Sequence, residues 1–482
     1  MKVPVTGRVL LAGSCIPLAF VVAAEFARVS LSGAPLSIAS DLAQPLPVAT
    51  TWHDFGGNLF LTLLAAIIVA GIAYGIVLRD IATHLCNSHA RAVLVSVGLL
   101  GALSIAAAMT FPVIFSSDVY AYGAYGQMAA RGINPYSHQL LALSDPLTRA
   151  AIWQWGNPPP LCVYGPAFVW LAKAITSTLA PSGAVSQLLG LRILSGLSLV
   201  ACGQLIFWAL DKQPASRRLL AAAGLSLNPV ALWCASEGHN DALMLFIVLC
   251  GFIMLRRFGL TIGSFVIAAS ALVKAPGVAA GVVLAAFAWP VRSNFVKVAT
   301  GMFGGIIFTA MIARPFEAGI SNVLIPRGHY TPQYSAQYLF SDFAGQLLQG
   351  HAHTLEFGVA VALVASGALL LFGLRSIVSG KAEGAAFMAL ALWLAIPNPY
   401  PWYALWILPV AFVSFGSSAS LAVIAASLAV FVRYFPDVAA ANNSDLNLVV
   451  TLCEIALPML LLLPRAHAQI RNATLGRVER AS

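Results

Sequence analysis

Apolar positions along this chain gather into long runs parted by short polar breaks. The runs lie near 8–30, 57–78, 92–115, 158–180, 186–210, 219–236, 240–256, 260–274, 277–290, 298–314, 356–375, 383–396, 403–416, 417–434 and 448–464. A helix needs about 20 apolar residues to cross a bilayer, and several runs reach that length. None alternates in the two-residue period of a barrel strand. The pattern predicts an all-α, multi-pass membrane protein of about 13–15 spans, forming one integral membrane domain over 1–482. Two polar segments, 116–157 and 315–355, interrupt the runs for about 40 residues each. Loops of that length usually carry function. They are expected to face outward and to carry short interfacial helices.

Composition agrees with this picture. The chain is 60% hydrophobic and 9% charged, far from a soluble protein. Its net charge of +9 therefore does not suggest nucleic acid. It reflects Lys and Arg in loops on one side of the membrane. The loops with Arg79/Arg91, Lys212/Arg217/Arg218, Arg256/Arg257, Arg292/Lys297 and Arg375/Lys381 are assigned to the cytoplasm. So are the N-terminus with Lys2 and Arg8 and the basic tail 465–482, read as a cytoplasmic anchor. Together these hold 17 of the 26 basic residues. If both 158–180 and 186–210 cross, the Lys212–Arg218 loop falls on the wrong face. Either one of the two is partly re-entrant, or the turn 181–185 stops short of the cytoplasm. The seven cysteines lie mostly inside apolar runs, with no paired framework, and predict no structural disulfide. Lys2 and Arg8 before an apolar run resemble a signal peptide, but Glu25 and Arg28 at its end fit a retained first helix better.

The outer side collects the unusual residues. Directly after the run 92–115 comes Ser116-Ser117-Asp118-Val119-Tyr120-Ala121-Tyr122, placing Asp118 where a membrane helix emerges into water. If Asp118 opens a helix, Tyr122 and Tyr125 follow on its face. A solvated loop acid or a helix cap is the bland reading; a carboxylate beside an aromatic wall is the functional one. Arg131 next to Gly132, and Tyr136 after Asn134-Pro135, continue the segment. Arg131 suits either a phosphate or interfacial snorkelling. Trp153, Trp155 and Asn157 lead on to Tyr164-Gly165-Pro166.

A second cluster, Glu237-Gly238-His239-Asn240-Asp241, sits in a tight turn between two apolar runs. Ionisable groups there are costly near lipid, so they are functional candidates, although Asp241 also reads as a helix cap. Three metal-ligand types occur together, but no second His spacing supports a metal site. Lys274 stands alone among apolar residues, in a turn read as lying at the outer surface. It suits a phosphate counter-ion or simple snorkelling. The second long loop holds Arg327, His329 and Tyr330. Pro399-Tyr400-Pro401-Trp402-Tyr403 forms a rigid aromatic turn that suits either sugar stacking or anchoring at the interface.

These pieces, in order from Ser117 to Tyr403, resemble the GT-C superfamily of integral membrane glycosyltransferases. The closest similarity is to the bacterial polyprenol-phosphomannose-dependent alpha-mannosyltransferases. The resemblance is carried by Ser117-Asp118-Val119-Tyr120, Arg131-Gly132-Ile133-Asn134-Pro135-Tyr136, Tyr164-Gly165-Pro166, Gly238-His239-Asn240-Asp241-Ala242-Leu243, Val273-Lys274-Ala275-Pro276 and Pro401-Trp402-Tyr403. It implies an inverting transfer of a sugar, mannose by this likeness, from a polyprenyl-phosphate donor to a glycan or glycolipid acceptor. The reaction would take place at the outer, periplasmic face of a bacterial inner membrane. By the resemblance Asp118 is the catalytic base. The family often shows two adjacent acids, whereas Ser116 and Ser117 precede a single acid here, so no metal and no other cofactor is expected. Lys274, Arg327, Arg131 and His239 are the candidate cations for the departing phosphate. Tyr122, Tyr125, Tyr136, Tyr164, Glu237, Asn240, Asp241, His329, Tyr330, Tyr400, Trp402 and Tyr403 are candidates for the sugar or acceptor. The rival class is a lipid-linked sugar flippase or transporter, which would place buried charges along a path through the membrane.

Overall fold

In hydrocarbon, backbone groups find no water, so a spanning chain must close its hydrogen bonds within helices. The computed structural model describes residues 4–30, 48–85, 89–113, 115–139, 147–148, 150–151, 161–317, 333–347, 354–439 and 444–463. Among these residues the regular elements are helices, with no strand. Helices α1 (Val5–Gly13) and α2 (Cys15–Ser30) pack against both α3 (Val48–His84) and α4 (Ala90–Ala108). Apolar side chains such as Leu103, Leu197, Phe303 and Leu371 face outward, as lipid contact requires.

Beyond α4 the chain turns into α5 (Asp118–Ala130), and later into α6 (Pro166–Leu179) and α7 (Gly183–Ala209). α5 and α6 run side by side in the same direction. The Tyr122 and Tyr164 rings meet at 4.7 Å, and one turn on a Cβ at Gly126 would sit 2.7 Å from the Ala172 backbone. Gly183, with φ +83° in the left-handed region that suits glycine, reverses the chain. α7 then returns along α6, bringing Gly190 against Ile175 and Leu179. Gln127 bonds Gln187 at 2.9 Å across the group. α5, α6 and the first turns of α7 therefore form a cap over the end of α4.

This bears on the topology that the pattern left open. The run Pro166–Ala209 is apolar for 44 residues, but it is not one straight helix. At 14 residues, α6 reaches about 21 Å, short of a hydrocarbon core of about 30 Å. α7 supplies the crossing, and the loop with Lys212 and Arg218 then joins the other basic loops.

The next crossing is broken. Helices α8 (Ala215–Ser226) and α9 (Pro229–Ser236) meet at 46°. Pro229 has no N–H to donate and clashes with a helical predecessor. Asn228 sits extended and accepts from the N–H groups of Val230 and Ala231 at 3.1 and 3.0 Å, capping the new helix. Its amide donates to Ser427 Oγ at 3.0 Å. The bend aims α9 at the turn 237–240, after which α10 (Asp241–Phe258) and α11 (Leu260–Ala269) form a hairpin. Trp233 of α9 fixes this arrangement against Phe111 and Phe115, with ring centroids 5.2 and 5.9 Å away.

The remainder comprises α12 (Ala279–Ala288), α13 (Arg292–Ala313), α14 (Ala336–Leu347), α15 (Thr354–Val378), α16 (Gly384–Ala395), α17 (Ala404–Ala411), α18 (Ser418–Ala429), α19 (Tyr434–Ala439), α20 (Ser444–Thr451) and α21 (Leu457–Leu460). Seven helical runs among the described residues are long and apolar enough to cross a membrane, or eight with the bent pair. The remaining runs among the 13–15 expected fall short of that length or are interrupted. Several of the extra runs are helices of 10–17 residues, such as Leu260–Leu272 and Ala275–Ala288. Hydropathy counts apolar residues, but Gly and Pro break the helices that contain them. The tail 465–482 lies outside the described residues. The six described cysteines are free, and Cys86 lies outside.

Candidate active site

Five chain segments converge where α4 ends: the first turns of α5, the turn 237–241, the break around Lys274, the turn Pro401–Tyr403 and the start of α19. Asp118 is the first residue of α5 and is 5% exposed. Of the two readings it is thus not the solvated loop acid; the cap covers it. Its N–H bonds Ser116 Oγ at 3.3 Å. Its Oδ2 accepts from the Tyr122 hydroxyl at 3.2 Å and lies 3.3 Å from His239 Nδ1. The expected helical spacing of Asp118 and Tyr122 is what the structure has. Tyr122 also donates towards Asn240 Oδ1 at 3.4 Å. Burial, then the charge of Asp118, pushes the Tyr122 hydroxyl well above its ordinary range, so it remains a donor.

His239 lies between two acids. Nε2 is 3.8 Å from Glu237 Oε2, which the Tyr434 hydroxyl reaches at 2.9 Å. The imidazole is stacked on Trp402 with centroids 4.0 Å apart, and Trp402 in turn stacks on Tyr400 at 4.5 Å. Neither ring nitrogen has an aligned hydrogen-bond partner, so Asp118 and Glu237 are close contacts that form ion pairs when the imidazole carries its second proton. Burial alone lowers the proton affinity of His239. The two flanking carboxylates outweigh it and raise the pKa to about 9. Gly238, at φ +93°, makes the turn possible: a Cβ there would meet Val119 at 2.7 Å.

Asp241 and Lys274 form a separate pair. Lys274 Nζ contacts both carboxylate oxygens at 2.9 Å, and Trp406 Nε1 donates to Oδ1 at 2.6 Å. Lys274 also faces the rings of Tyr164, Tyr403 and Trp406 at 5.5–5.7 Å. The expectation of a lone cation at the surface is corrected: its side chain is 11% exposed and ion-paired. The other predicted residues divide. Tyr125 is buried beside Tyr164, and Tyr136 donates to the Tyr164 carbonyl at 2.7 Å, supporting the wall from behind. Arg131 is exposed at the far end of α5, about 20 Å along the helix from Asp118, so the structure does not bring it to the acid. Arg327, His329 and Tyr330 lie outside the described residues, as do Trp153, Trp155 and Asn157.

Several residues were missed. Arg192 Nε bonds the Ser236 carbonyl at 2.6 Å and Ser195 Oγ bonds the His239 carbonyl at 2.5 Å, so α7 holds the turn 237–241 in place. Arg433 is buried, bonded to Asn398 and stacked 4.0 Å over Tyr334 and 4.8 Å over Tyr400. Both arginines are lone charges within apolar runs, the signal already used for Lys274. Trp406 and Tyr434 gave no comparable signal.

From this cluster an apolar groove of about 340 Å³ leads away between α10, α12, α16 and α17. Met244, Pro276 and Trp406 line it next to Asp241 and Lys274. Leu249, Ala280 and Ala389 line it further along. Among the described residues, no group of three His, Cys, Asp or Glu side chains converges as metal ligands do.

A family model described as alpha-(1->6)-mannopyranosyltransferase, N-terminal domain, matches residues 20–291, more than half of the chain. Alpha-(1->6)-mannopyranosyltransferase B of Corynebacterium glutamicum is 29% identical over 230 residues, 43% of this chain and 37% of that protein. Alpha-(1->6)-mannopyranosyltransferase A of the same organism is 28% identical over 174 residues, 35% of each chain. A probable alpha-(1->6)-mannopyranosyltransferase of Mycolicibacterium smegmatis is 31% identical over 147 residues, 29% of this chain and 25% of that protein. The chain thus matches about a third or less of the length of these relatives. No solved structure matches it significantly.

Proposed function

We propose that this chain, which belongs to the alpha-(1->6)-mannopyranosyltransferase N-terminal domain family, transfers a mannosyl group from a polyprenyl-phosphate donor to a hydroxyl of a glycan or glycolipid acceptor. The transfer occurs at the outer face of the membrane in which its helices lie. The observation that carries the reading is one junction: a buried carboxylate ringed by tyrosines, a lysine, and an apolar groove beginning beside that lysine. A polyprenyl-phosphate sugar has the same sequence of parts: reacting sugar, anionic phosphate, apolar tail.

In the reaction the acceptor oxygen attacks the anomeric carbon, and its proton passes to Asp118. The bond from the anomeric carbon to the phosphate oxygen breaks, and its electron pair stays on the phosphate. Lys274 stabilises that growing charge. A single displacement inverts the anomeric centre, so a beta-linked donor gives an alpha product, in keeping with the names of the relatives. No metal is required, because Lys274 supplies the positive charge. A flippase remains the second reading, since the relatives are matched over only part of their length. Against it stands the grouping of Asp118, Glu237, His239, Asp241 and Lys274 in one cluster, where a transporter would spread such charges along a path.

The test uses purified protein with a panel of radiolabelled polyprenyl-phosphate sugars and a lipid extract from the host. Label from the mannosyl donor should appear in a new glycosidic product. Movement of intact donor across proteoliposomes without a new glycosidic bond would instead establish the flippase.

A further inference from the structure

Trp406 stands where the charged pair meets the apolar groove, and no step of the proposed transfer uses it. It lies in the first turn of α17 and is half-buried. Its ring lines the groove together with Met244 and Pro276. The ring also stacks on Tyr403, with centroids 3.9 Å apart and planes inclined at 26°. Its Nε1 donates to Asp241 Oδ1 at 2.6 Å, the short distance of a charge-assisted bond. Asp241 is fully buried at the first residue of α10, an 18-residue helix whose N-terminus favours an anion. Among the described residues two side chains donate to its carboxylate: Lys274, which meets both oxygens at 2.9 Å, and Trp406. Lys274 can therefore contact a donor phosphate only by dividing its charge between two anions. How readily it does so depends on what else holds Asp241.

We infer that Trp406 is a positioning residue for Lys274: its indole N–H carries part of the hydrogen bonding of Asp241, which frees Lys274 to reach the donor phosphate at the head of the groove. This rests on the reading of Lys274 as the phosphate cation. A buried carboxylate that loses one donor depends more heavily on the partner that remains. Without the indole N–H, Asp241 would draw on Lys274 alone, and a phosphate would compete for that cation at a disadvantage. With the N–H in place, Asp241 keeps a short bond while Lys274 shares itself with the phosphate. The location suits this task. The residue that holds Asp241 also lines the start of the groove, where the first units of an apolar tail would lie. An indole can do both, because its ring body is apolar and its one polar atom is a donor.

The experiment measures binding of prenyl phosphate, which has the donor's phosphate and tail but no sugar to transfer, to the full chain in nanodiscs. It compares the wild type, Trp406→Phe, Asp241→Asn and the double variant. Phenylalanine keeps an aromatic ring in the groove and removes the N–H. With Asp241 in place, Trp406→Phe should raise Kd about tenfold, the scale of one hydrogen bond to a charged group. In the Asp241→Asn background the same change should alter Kd by less than about twofold, because no carboxylate then competes for Lys274. An equal rise in both backgrounds would make Trp406 a packing residue of the groove and overturn the inference, as would no rise in either. A second measurement follows the indole itself. In ¹⁵N–¹H NMR spectra of the wild type, the Trp406 resonance is assigned by its absence in Trp406→Phe. Prenyl phosphate should move that proton downfield, as Asp241 comes to rely more on the indole; a resonance that stays in place overturns the inference. Binding without sugar transfer in the wild type would remove the transferase reading while the cycle still decides the role of Trp406. If the wild type binds no prenyl phosphate, both fall.

Discussion

The buried pair of Lys274 and Asp241 separates stability from catalysis in a measurable way. Both carboxylate oxygens meet Nζ at 2.9 Å, Asp241 is fully buried and Lys274 nearly so. Removing one partner of a buried pair leaves an uncompensated charge, at a cost of about 3–5 kcal/mol. Lys274→Met should fall at the lower end, because Trp406 Nε1 continues to donate to Asp241. For a chain of this length that is a fall of several degrees in apparent Tm, read by scanning fluorimetry in detergent. The double variant Lys274→Met/Asp241→Asn removes both charges while Asn still accepts from Trp406. It should recover to within about 1 kcal/mol of wild type, since replacing an entire buried pair is often neutral. Activity should not recover. Loss of one group stabilising charge in the transition state costs about 2–4 kcal/mol, or about 30- to 1,000-fold in kcat, and the double variant still lacks the cation. Asp241→Asn alone leaves Lys274 unshared, so donor KM should fall. A double variant that is stable and active would refute the role of Lys274 at the phosphate. An unchanged Tm in Lys274→Met would refute the closed, desolvated pair.

Three further outcomes are expected. Asp118→Asn should abolish transfer, because an amide cannot take the acceptor proton, with Tm close to wild type; substantial turnover would remove Asp118 as base. Ala280→Phe, placed in the groove away from the charges, should raise KM about tenfold for a long-chain donor and leave a short-prenyl donor unaffected; equal effects on both would disconnect the groove from the lipid. Transfer should persist in excess chelator, and loss restored by magnesium or manganese would show that Lys274 and its surroundings are not sufficient for the departing phosphate.

Much of the site was legible because its residues are expensive where they stand. Asp118 after an apolar run, the four polar side chains of Glu237–Asp241, and Lys274 among alanine, valine and proline all break the pattern around them. That they meet could not be read, because the contacts Asp118–His239 and Asp241–Lys274 join segments far apart in sequence. Pairing also changed their meaning. A lone lysine reads as a surface cation until Asp241 is seen beside it, and an acid after a helix reads as solvated until α5 and α6 are seen to cover it. The topology stayed open in the sequence for a related reason. Hydropathy cannot distinguish an apolar helix that crosses lipid from one that caps a site, and α6 is apolar because it packs on α5 through Gly126 and Thr176. The conflict over the Lys212–Arg218 loop was the one trace of this in the sequence. Basic loops on one side of the membrane constrain the number of crossings, and that constraint identified the pair of segments left to resolve. The buried charges follow the same logic: an ionisable group taken out of water needs partners beside it, as Tyr122 and His239 stand beside Asp118 and Lys274 and Trp406 beside Asp241.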